Sequence, residues 1–249
     1  MNLNDFDDRS TAYDINEENN KNDKKEGIEI EHTSYGKYEG ELKNGKREGK
    51  GIFYFYNGDK YEGDFKNGFR QGKGIYIYNN GTKYEGDFNY DKFEGKGILY
   101  YFNGDTYEGE FKNYYKEGKG IYYYKNGDRF EGECKNDQFE GKGIYFYRSG
   151  NRYEGDFKNY KFEGKGILYY NDGKYEGDFK NYKKDGKGIE YYNNDERFEG
   201  NFKNGIKEGN GIYYFNNYDK EIGKYYNGEH IGKHITIHPN GEKSIKYYN

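Results

Sequence analysis

The sequence has few of the residues from which compact protein cores are usually built. Its 249 residues include one proline, one methionine, one cysteine and no tryptophan, and only 31% are hydrophobic. Most of that hydrophobic share is tyrosine and phenylalanine, whereas a layered core needs many leucine, valine and isoleucine side chains. The composition therefore predicts a thin structure in which aromatic rings lie on a sheet.

Other absences exclude whole classes of protein. The single cysteine, Cys134, rules out an intramolecular disulfide framework, and no apolar run approaches the length of a signal sequence or a membrane span. The 41 basic and 45 acidic residues are interspersed, with a net charge of -4, so no basic stripe is available to read a phosphate backbone. We therefore expect a soluble cytoplasmic protein that does not bind nucleic acid.

The residues that are abundant, 35 Tyr, 18 Phe and 39 Gly, recur in an internal repeat. An aromatic-Glu-Gly triplet recurs every 23 residues, with one step of 22, and a decayed ninth copy begins at Glu221. A fixed period of this length is the signature of a repeat architecture. The triplets begin at Tyr38, Tyr61, Tyr84, Tyr107, Phe130, Tyr153, Tyr175 and Phe198.

Each unit reads as two strands and two turns. Residues 61–66 alternate ring and charge with a period of two, and residues 75–78 are aromatic or β-branched. Pairs such as Asn57-Gly58 tolerate the positive φ of tight turns. The pattern predicts an all-β fold, an elongated and twisted single-layer solenoid of antiparallel β-hairpins with a groove lined by aromatic residues and glycine.

A hairpin register can be predicted from the same pattern. If the first unit turns about the midpoint of residues 44–49, Tyr38 lies opposite Phe55 and Gly40 lies opposite Phe53. Rings and glycines then share one face because alternate residues of a strand project to the same side. The acids and lysines at the other positions form a solvated charged face.

The chain divides into four segments by composition. Residues 1–26 are polar and aperiodic, which is typical of a disordered tail. Residues 27–37 form an opening half-repeat, residues 38–220 form eight repeats, and residues 221–249 form a degenerate ninth repeat with a polar C-terminal cap.

The unit Tyr-Glu-Gly-Asp-Phe-Lys-Asn-Gly, followed by Gly-Lys-Gly-Ile-Tyr and an Asn-Gly turn, closely resembles the MORN repeat (membrane occupation and recognition nexus). The resemblance runs from Tyr38 to Gly241, and the ninth copy departs from the pattern at its first aromatic and at the second glycine of Gly-Lys-Gly. It implies an elongated array that acts as an adaptor in cytoskeletal, ciliary or membrane-cortex assemblies. In family members that are enzymes, catalysis resides in another domain.

Two functions compete on this resemblance, and neither needs a cofactor. The first is a non-enzymatic scaffold whose aromatic groove holds a helix or an extended segment of a partner protein. The alternative is a peripheral membrane tether that binds acidic phospholipid, which the interleaving of lysines with acids disfavours. The expected location is the cytoplasm, at the cytoskeleton or at the cytoplasmic face of a membrane, and self-association stays open.

The predicted partner-binding residues are aromatic residues on the face that rings and glycines share, together with one acid. That acid, Glu190, occupies a slot that is elsewhere aromatic or leucine, and we hypothesise that it pairs with a basic residue of the partner. The set comprises Tyr61, Phe65, Tyr76, Tyr78, Tyr84, Phe88, Tyr101, Tyr107, Phe111, Tyr122, Tyr124, Tyr145, Tyr147, Tyr153, Phe157, Tyr170, Tyr175, Phe179, Glu190 and Tyr192.

Two further features allow a chemical interpretation. His230, His234 and His238 are spaced by four, and on a strand His234 and His238 share a face, which makes them weak zinc candidates beside the simpler interpretation of a polar cap. We assign no metal. Cys134 stands where other repeats have Phe111 or Phe157, and no histidine in its unit can activate it, so it is interpreted as a packing residue.

Overall fold

The computed structural model describes residues 22–25 and 28–249. Every regular element in these ranges is a β-strand. The strands are β1 (Asn22–Lys25), β2 (Ile28–His32), β3 (Gly36–Lys43), β4 (Lys46–Phe55), β5 (Lys60–Lys66), β6 (Phe69–Ile77), β7 (Lys83–Asn89), β8 (Lys92–Tyr100), β9 (Thr106–Lys112), β10 (Tyr115–Tyr123), β11 (Arg129–Lys135), β12 (Gln138–Phe146), β13 (Arg152–Lys158), β14 (Lys161–Tyr170), β15 (Gly173–Lys180), β16 (Lys183–Tyr192), β17 (Arg197–Lys203), β18 (Ile206–Tyr214), β19 (Lys220–Tyr226), β20 (Glu229–Ile237) and β21 (Lys243–Tyr248).

The strands form one antiparallel meander in which each strand pairs with the next along the chain. Among the described strands β1 and β21 do not pair with each other, so the sheet is open. At ~4.8 Å per strand the ribbon is on the order of 95 Å long before twisting. The predicted fold class, an all-β hairpin solenoid, is confirmed.

Tight two-residue turns join the two strands of each repeat. Asn44 and Gly45 have φ values of 52° and 72°, which is the conformation of a type I′ hairpin turn. Tyr90 and Asp91 adopt the same conformation at 46° and 68° without any glycine. The turn therefore lies two residues earlier than the midpoint that the sequence pattern suggested.

The observed register corrects the predicted one. Tyr38 lies opposite Phe53 rather than Phe55, and Gly40 lies opposite Gly51. The predicted register was wrong because the type I′ turn takes only two residues, and the surplus is absorbed by an irregularity in β4 at Gly49, where φ is +65°. Glycine therefore faces glycine across the middle of the hairpin in each of the eight repeats, as at Gly63 and Gly74.

The links between repeats hold successive repeats together through side chains. In the first link the backbone N–H of Asp59 donates to Asn57 Oδ1 at 3.0 Å. The Asp59 carboxylate accepts hydrogen bonds from Tyr76 Oη at 2.7 Å and from the backbone N–H of Asn79 at 2.8 Å, both in the following repeat. Asp105 and Asp128 each accept the same pair of hydrogen bonds from the repeat that follows their own. These carboxylates fix the spacing of adjacent hairpins.

The predicted disordered tail and opening half-repeat are described only in part. Residues 1–21 and 26–27 of the predicted disordered tail and opening half-repeat lie outside the described residues. Within the predicted tail, Asn22–Lys25 form β1, which pairs with β2. The described ranges contain no helix long and apolar enough to cross a bilayer.

Candidate partner-binding groove

The first aromatic residue of each repeat lies flat over a pair of glycines. The Tyr61 ring covers Gly63 on its own strand and Gly74 on the next, and a Cβ added to Gly63 would lie 2.5 Å from Tyr61 Oη. The Tyr61 hydroxyl donates to the carbonyl of Asp64 at 2.9 Å, which satisfies its polar end. The corresponding hydroxyls of Tyr38, Tyr84, Tyr107, Tyr153 and Tyr175 do the same. The glycines thus provide the space in which these rings lie.

Rings from successive repeats then pack edge to face in a row that is interrupted where Cys134 replaces a phenylalanine. Phe88 contacts Tyr84 of its own repeat at 5.3 Å between centroids and Tyr61 of the previous repeat at 4.9 Å, both nearly perpendicular. Such pairs contribute ~0.5–1.5 kcal/mol beyond the area they bury. The core of this single-layer protein is therefore a row of rings along one face, which we call the ring face.

Long cations complete the ring face in several repeats. The guanidinium of Arg70 lies 5.1 Å from the centroid of Tyr76 and pairs with Asp91 at 3.0 Å. Lys116 is buried in the equivalent slot, where its ammonium group donates to Tyr101 Oη at 3.0 Å. Burial lowers the pKa of Lys116 despite the charge of Asp137 nearby.

The predicted binding residues fall into two sets on this face. Eleven are buried and expose 8% of their surface or less, so they pack the array and have no free surface. Those eleven are Tyr61, Phe65, Tyr76, Tyr84, Phe88, Tyr107, Phe111, Tyr153, Phe157, Tyr175 and Phe179. The other members are half-buried and form what we call the tyrosine stripe, which comprises Tyr78, Tyr101, Tyr122, Tyr124, Tyr145, Tyr147, Tyr170 and Tyr192 together with Glu190.

A continuous groove of about 2910 Å³ runs along the opposite face of the sheet. Its floor is the row of paired glycines, and its walls carry residues that alternate between strands, such as Glu108, Ile121, Glu131 and Ile144. A parallel row contains one lysine per repeat, for example Lys119. The groove therefore lies on the face that the sequence analysis interpreted as solvated charge, and its lining residues were missed. The signal was an isoleucine recurring once per repeat on that face.

The charges along the groove are largely paired within the protein. Lys73 contacts Asp87 at 2.6 Å, and Lys165 contacts Asp178 at 2.6 Å. Burial opposes ionisation of Asp178, but hydrogen bonds from the Lys165 side chain and the Lys187 backbone hold the pKa of that carboxyl below its usual value. Acids and lysines cancel each other's field, so the groove presents isoleucines that alternate with glutamates beside a row of acids and lysines.

Glu190 pairs with residues of its own chain. We had hypothesised that it pairs with a basic residue of the partner protein. It accepts hydrogen bonds from Lys184, from Tyr170 Oη at 3.0 Å and from Tyr192 Oη at 2.9 Å. Burial raises the pKa of this carboxyl, but the ammonium of Lys184 and the two hydroxyls outweigh that effect, and the pKa lies below its usual value. Glu190 is therefore an ionised and fully paired member of the tyrosine stripe.

The C-terminal histidines occupy two separate environments. His238 pairs through Nδ1 with Asp219 Oδ1 at 3.0 Å and through Nε2 with Ser244 Oγ at 3.2 Å. His234 instead lies beside Glu221 at 2.8 Å. The structure therefore does not bring His234 and His238 into one site, although a shared strand face had suggested it.

Cys134 is a packing residue in the structure. The residue is 3% exposed, and burial raises the pKa of its thiol to about 11. A thiol that stays protonated at neutral pH is a poor nucleophile.

Comparison with known proteins adds a family and a set of distant structures. The model of the MORN repeat matches eight consecutive segments of the chain, at residues 38–60, 61–83, 84–106, 107–129, 130–152, 153–174, 175–197 and 198–220. A search of curated proteins gave no significant match.

Two of the similar solved structures are peptide complexes of proteins named CPAP and SAS-4. The TCP10 domain of Danio rerio CPAP in complex with a peptide of STIL is 14% identical, with a TM-score of 0.49, over 71% of this chain and 80% of that chain. The TCP domain of Drosophila melanogaster SAS-4 (dCPAP), in complex with a proline-rich motif of Ana2, is 16% identical, with a TM-score of 0.33, over 71% and 85%. At these scores the similarities carry no inference about function.

Proposed function

The chain belongs to the MORN repeat family, and from that premise we propose that it is a non-enzymatic scaffold that holds a segment of a partner protein in its groove. The observation that carries this proposal is the continuous groove along the array, with a stripe in which isoleucines alternate with glutamates beside a row of acids and lysines. Extended surfaces of this kind are what repeat proteins commonly use for binding. The buried rings on the opposite face keep the ribbon in shape.

The spacing of the stripe favours a helical partner segment. One repeat contributes two strands, so successive isoleucines lie ~9.6 Å apart along the ribbon. A helix advances about 10.5 Å in seven residues, which places every seventh side chain on one line at nearly the same interval. The partner we propose is an amphipathic helix with an apolar residue at each seventh position and mixed charges beside it. The alternative is an extended partner segment, which covers about 10 Å with three residues. The experiment must distinguish this extended segment from a helix.

The phospholipid alternative requires cations that are free to meet an anionic surface. Four lysines of the groove face contact acids, as Lys50 does with Asp64 at 2.6 Å and Lys142 with Asp156 at 2.5 Å. Because attraction to acidic lipid grows with unpaired clustered charge, these pairs support a protein partner. A catalytic role is likewise not proposed, since the titratable residues of the groove recur identically from repeat to repeat instead of converging at one place.

The proposal is tested with a groove variant and a matched surface variant of the full chain. Partners are captured from native cell extract by cross-linking, and the cross-linked peptide is synthesised and titrated. The triple variant Ile98→Asp, Ile121→Asp and Ile144→Asp should bind that peptide at least ~100-fold more weakly, because several apolar anchors are lost together. The control Tyr56→Asp with Tyr218→Asp, at exposed turn positions, should bind as the wild type does.

Further measurements separate the competing occupants. A gain of helical circular dichroism on binding supports the helix, and binding without that gain indicates an extended segment. Salt-sensitive pelleting with anionic vesicles, in the absence of protein partner, would favour the membrane tether. If the triple groove variant bound the peptide normally while Tyr101→Ala with Tyr124→Ala did not, the tyrosine stripe would be the binding surface and the groove proposal would be wrong. We place this function in the cytoplasm, in a cytoskeletal or membrane-cortex assembly.

A further inference from the structure

The ninth repeat departs from the others at the slots that normally build the ring face. Glu221 stands where other repeats have the first aromatic, and His234 replaces the second glycine of Gly-Lys-Gly. His230 occupies the slot of the buried cations, such as Arg70 and Lys116. These departures concern neighbouring positions, so their side chains meet.

The imidazole of His234 takes the place of the missing ring. It lies over Gly223, where a Cβ would collide with the imidazole, just as Tyr61 lies over Gly63 and Gly74 in the second repeat. The ring now comes from β20 instead of β19, and the shorter Glu221 leaves room for it. His234 is 1% exposed, and Glu221 is 7% exposed. The repeat thus keeps its packing while its interior becomes polar.

Three ligand atoms converge in this interior. Glu221 Oε1 lies 2.8 Å from His234 Nδ1 and 3.1 Å from His230 Nε2, and within the described residues all three atoms lie within 4.8 Å of one another. Tetrahedral zinc with bonds of about 2.1 Å separates its ligand atoms by roughly 3.4 Å. Shifts below about 1.5 Å would bring the three atoms to that spacing.

In the neutral ring, the hydrogen bonding of His234 leaves Nδ1, the nitrogen that faces Glu221, unprotonated. Nε2 lies 2.9 Å from the backbone carbonyl oxygen of Lys224, which can only accept, so Nε2 carries the proton. The lone pair of Nδ1 then faces the carboxylate oxygen of Glu221, and two acceptors at 2.8 Å require a proton or a cation between them or beside them. A ligating histidine that donates its other N–H to a carbonyl is also the usual outer arrangement of a metal site.

A tyrosine whose ring contacts both histidines carries a polar group without a partner. In the described part of the chain, the buried Tyr225 Oη has no hydrogen-bond partner. Its ring lies 4.8 Å from that of His230 and 5.5 Å from that of His234. A buried hydroxyl is costly to leave unpaired, and a water on a metal ion is a group with which it can pair. His230, the most exposed of the three ligands, leaves a route by which an ion can enter.

We propose that Glu221, His230 and His234 form a binding site for a divalent transition metal ion, zinc above all, which clips β19 to β20 and closes the C-terminal end of the array. The ligand set is two imidazoles and one carboxylate, with the remaining position open to water. Terminal units of solenoids need such stabilisation because they have a neighbour on one side only. The site is independent of the proposed groove function.

Zinc titration of the tag-free full chain, stripped of metal with a chelator, tests this site. Isothermal titration with ZnCl₂ should saturate at one ion per chain, and zinc should raise the melting temperature. His230→Ala should weaken binding at least ~10-fold, because losing a ligand exceeds the effect of losing an outer partner. Cobalt(II) in place of zinc should give the visible absorption bands of a tetrahedral site.

Matched variants keep the experiment informative if a single substitution disturbs folding. Glu221→Tyr with His234→Gly restores the ring-over-glycine packing of the other repeats, so it should remain folded and lose zinc binding. His238→Ala removes a histidine outside the cluster and should bind zinc as the wild type does. Absence of saturable binding to the wild type would show that the cluster shares only a proton. Equal affinity for Glu221→Tyr with His234→Gly would place any zinc elsewhere. Either result overturns the proposal.

Discussion

Lys184 and Glu190 form an ion pair among rings, and replacing both with the aromatic residues of another repeat should leave the array as stable as before or more stable. Their side chains are 16% and 15% exposed. The ammonium of Lys184 lies 5.0 Å from the centroid of Tyr175 and 5.2 Å from that of Tyr170. The fifth repeat has Phe139 and Tyr145 in the same two slots.

The magnitude follows from the cost of leaving one charge unpaired. Glu190→Tyr alone strands a buried ammonium, and Lys184→Phe alone strands a buried carboxylate, so each should destabilise the local structure by about 3–5 kcal/mol. The double variant removes both charges and fills the volume with rings, which is typically neutral or stabilising by ~1–4 kcal/mol. The two substitutions should therefore be strongly non-additive.

Native-state hydrogen exchange is the suitable assay because repeat arrays open locally. The opening free energies of amides in residues 173–203 should fall in each single variant and recover in the double variant, while Lys183→Ala, at the exposed neighbour, should change nothing. If the double variant lost the sum of the two single losses, the buried pair would not be the reason for their effects.

The same pair predicts a pH dependence. The pKa of Glu190 is lower in the folded protein than its usual value, so the folded state holds fewer protons than the unfolded state in acid. Its contribution to stability is therefore present above the unfolded pKa of about 4.3 and is lost as the pH falls through the folded pKa. The wild type should lose more stability in residues 173–203 than the double variant between about pH 5 and pH 3. Parallel losses would contradict this assignment.

Three further substitutions or reagents test the ring face and the links. Gly109→Ala places a Cβ 2.5 Å from Tyr107 Oη and 2.7 Å from the Cα of Gly120. The substitution should therefore lower the opening free energy of amides in β9 and β10 by ~1–3 kcal/mol, as measured by hydrogen exchange. An unchanged opening free energy would mean that the ring can move aside. Asp128→Ala should destabilise the adjoining repeats by ~1–3 kcal/mol, and Asp128→Asn should destabilise them by less because the amide oxygen still accepts a hydrogen bond. Thermal melts that rank the two variants in reverse would show that these hydrogen bonds do not hold the repeats together. Cys134, with a pKa of about 11, should resist iodoacetamide at pH 8 in the folded chain and react on unfolding, as mass spectrometry will show; rapid labelling of the native protein would contradict its burial.

The sequence pattern could predict the hairpins because each one is local. The 23-residue period, the alternation in residues 61–66 and the Asn-Gly pairs specify strands and turns without long-range information. The register was harder, since the turn at Asn44-Gly45 uses two residues and the irregularity at Gly49 absorbs the rest. Five hairpin turns, such as Tyr90-Asp91, contain no glycine at either position, so their positive φ values were hidden.

The location of the groove could not be predicted from alternation alone. Alternation places neighbouring residues such as Tyr61 and Glu62 on opposite faces of the sheet. It does not show on which face the side chains pack over the backbone and on which face they leave a groove. Here the Tyr61 ring bends back over Gly63 and Gly74, so the aromatic face closes and the isoleucine face stays open. The cluster at Glu221 was likewise hidden, because its three members depend on the corrected pairing of β19 with β20.

In our proposal the partner segment lies on the isoleucine face, and photo-crosslinking can locate it there. A photoreactive phenylalanine replaces either Ile121, in the groove, or Tyr124, in the tyrosine stripe, and each chain is irradiated with the captured partner. We predict a crosslink to the partner from position 121 and none from position 124. A crosslink from position 124 alone would contradict the account.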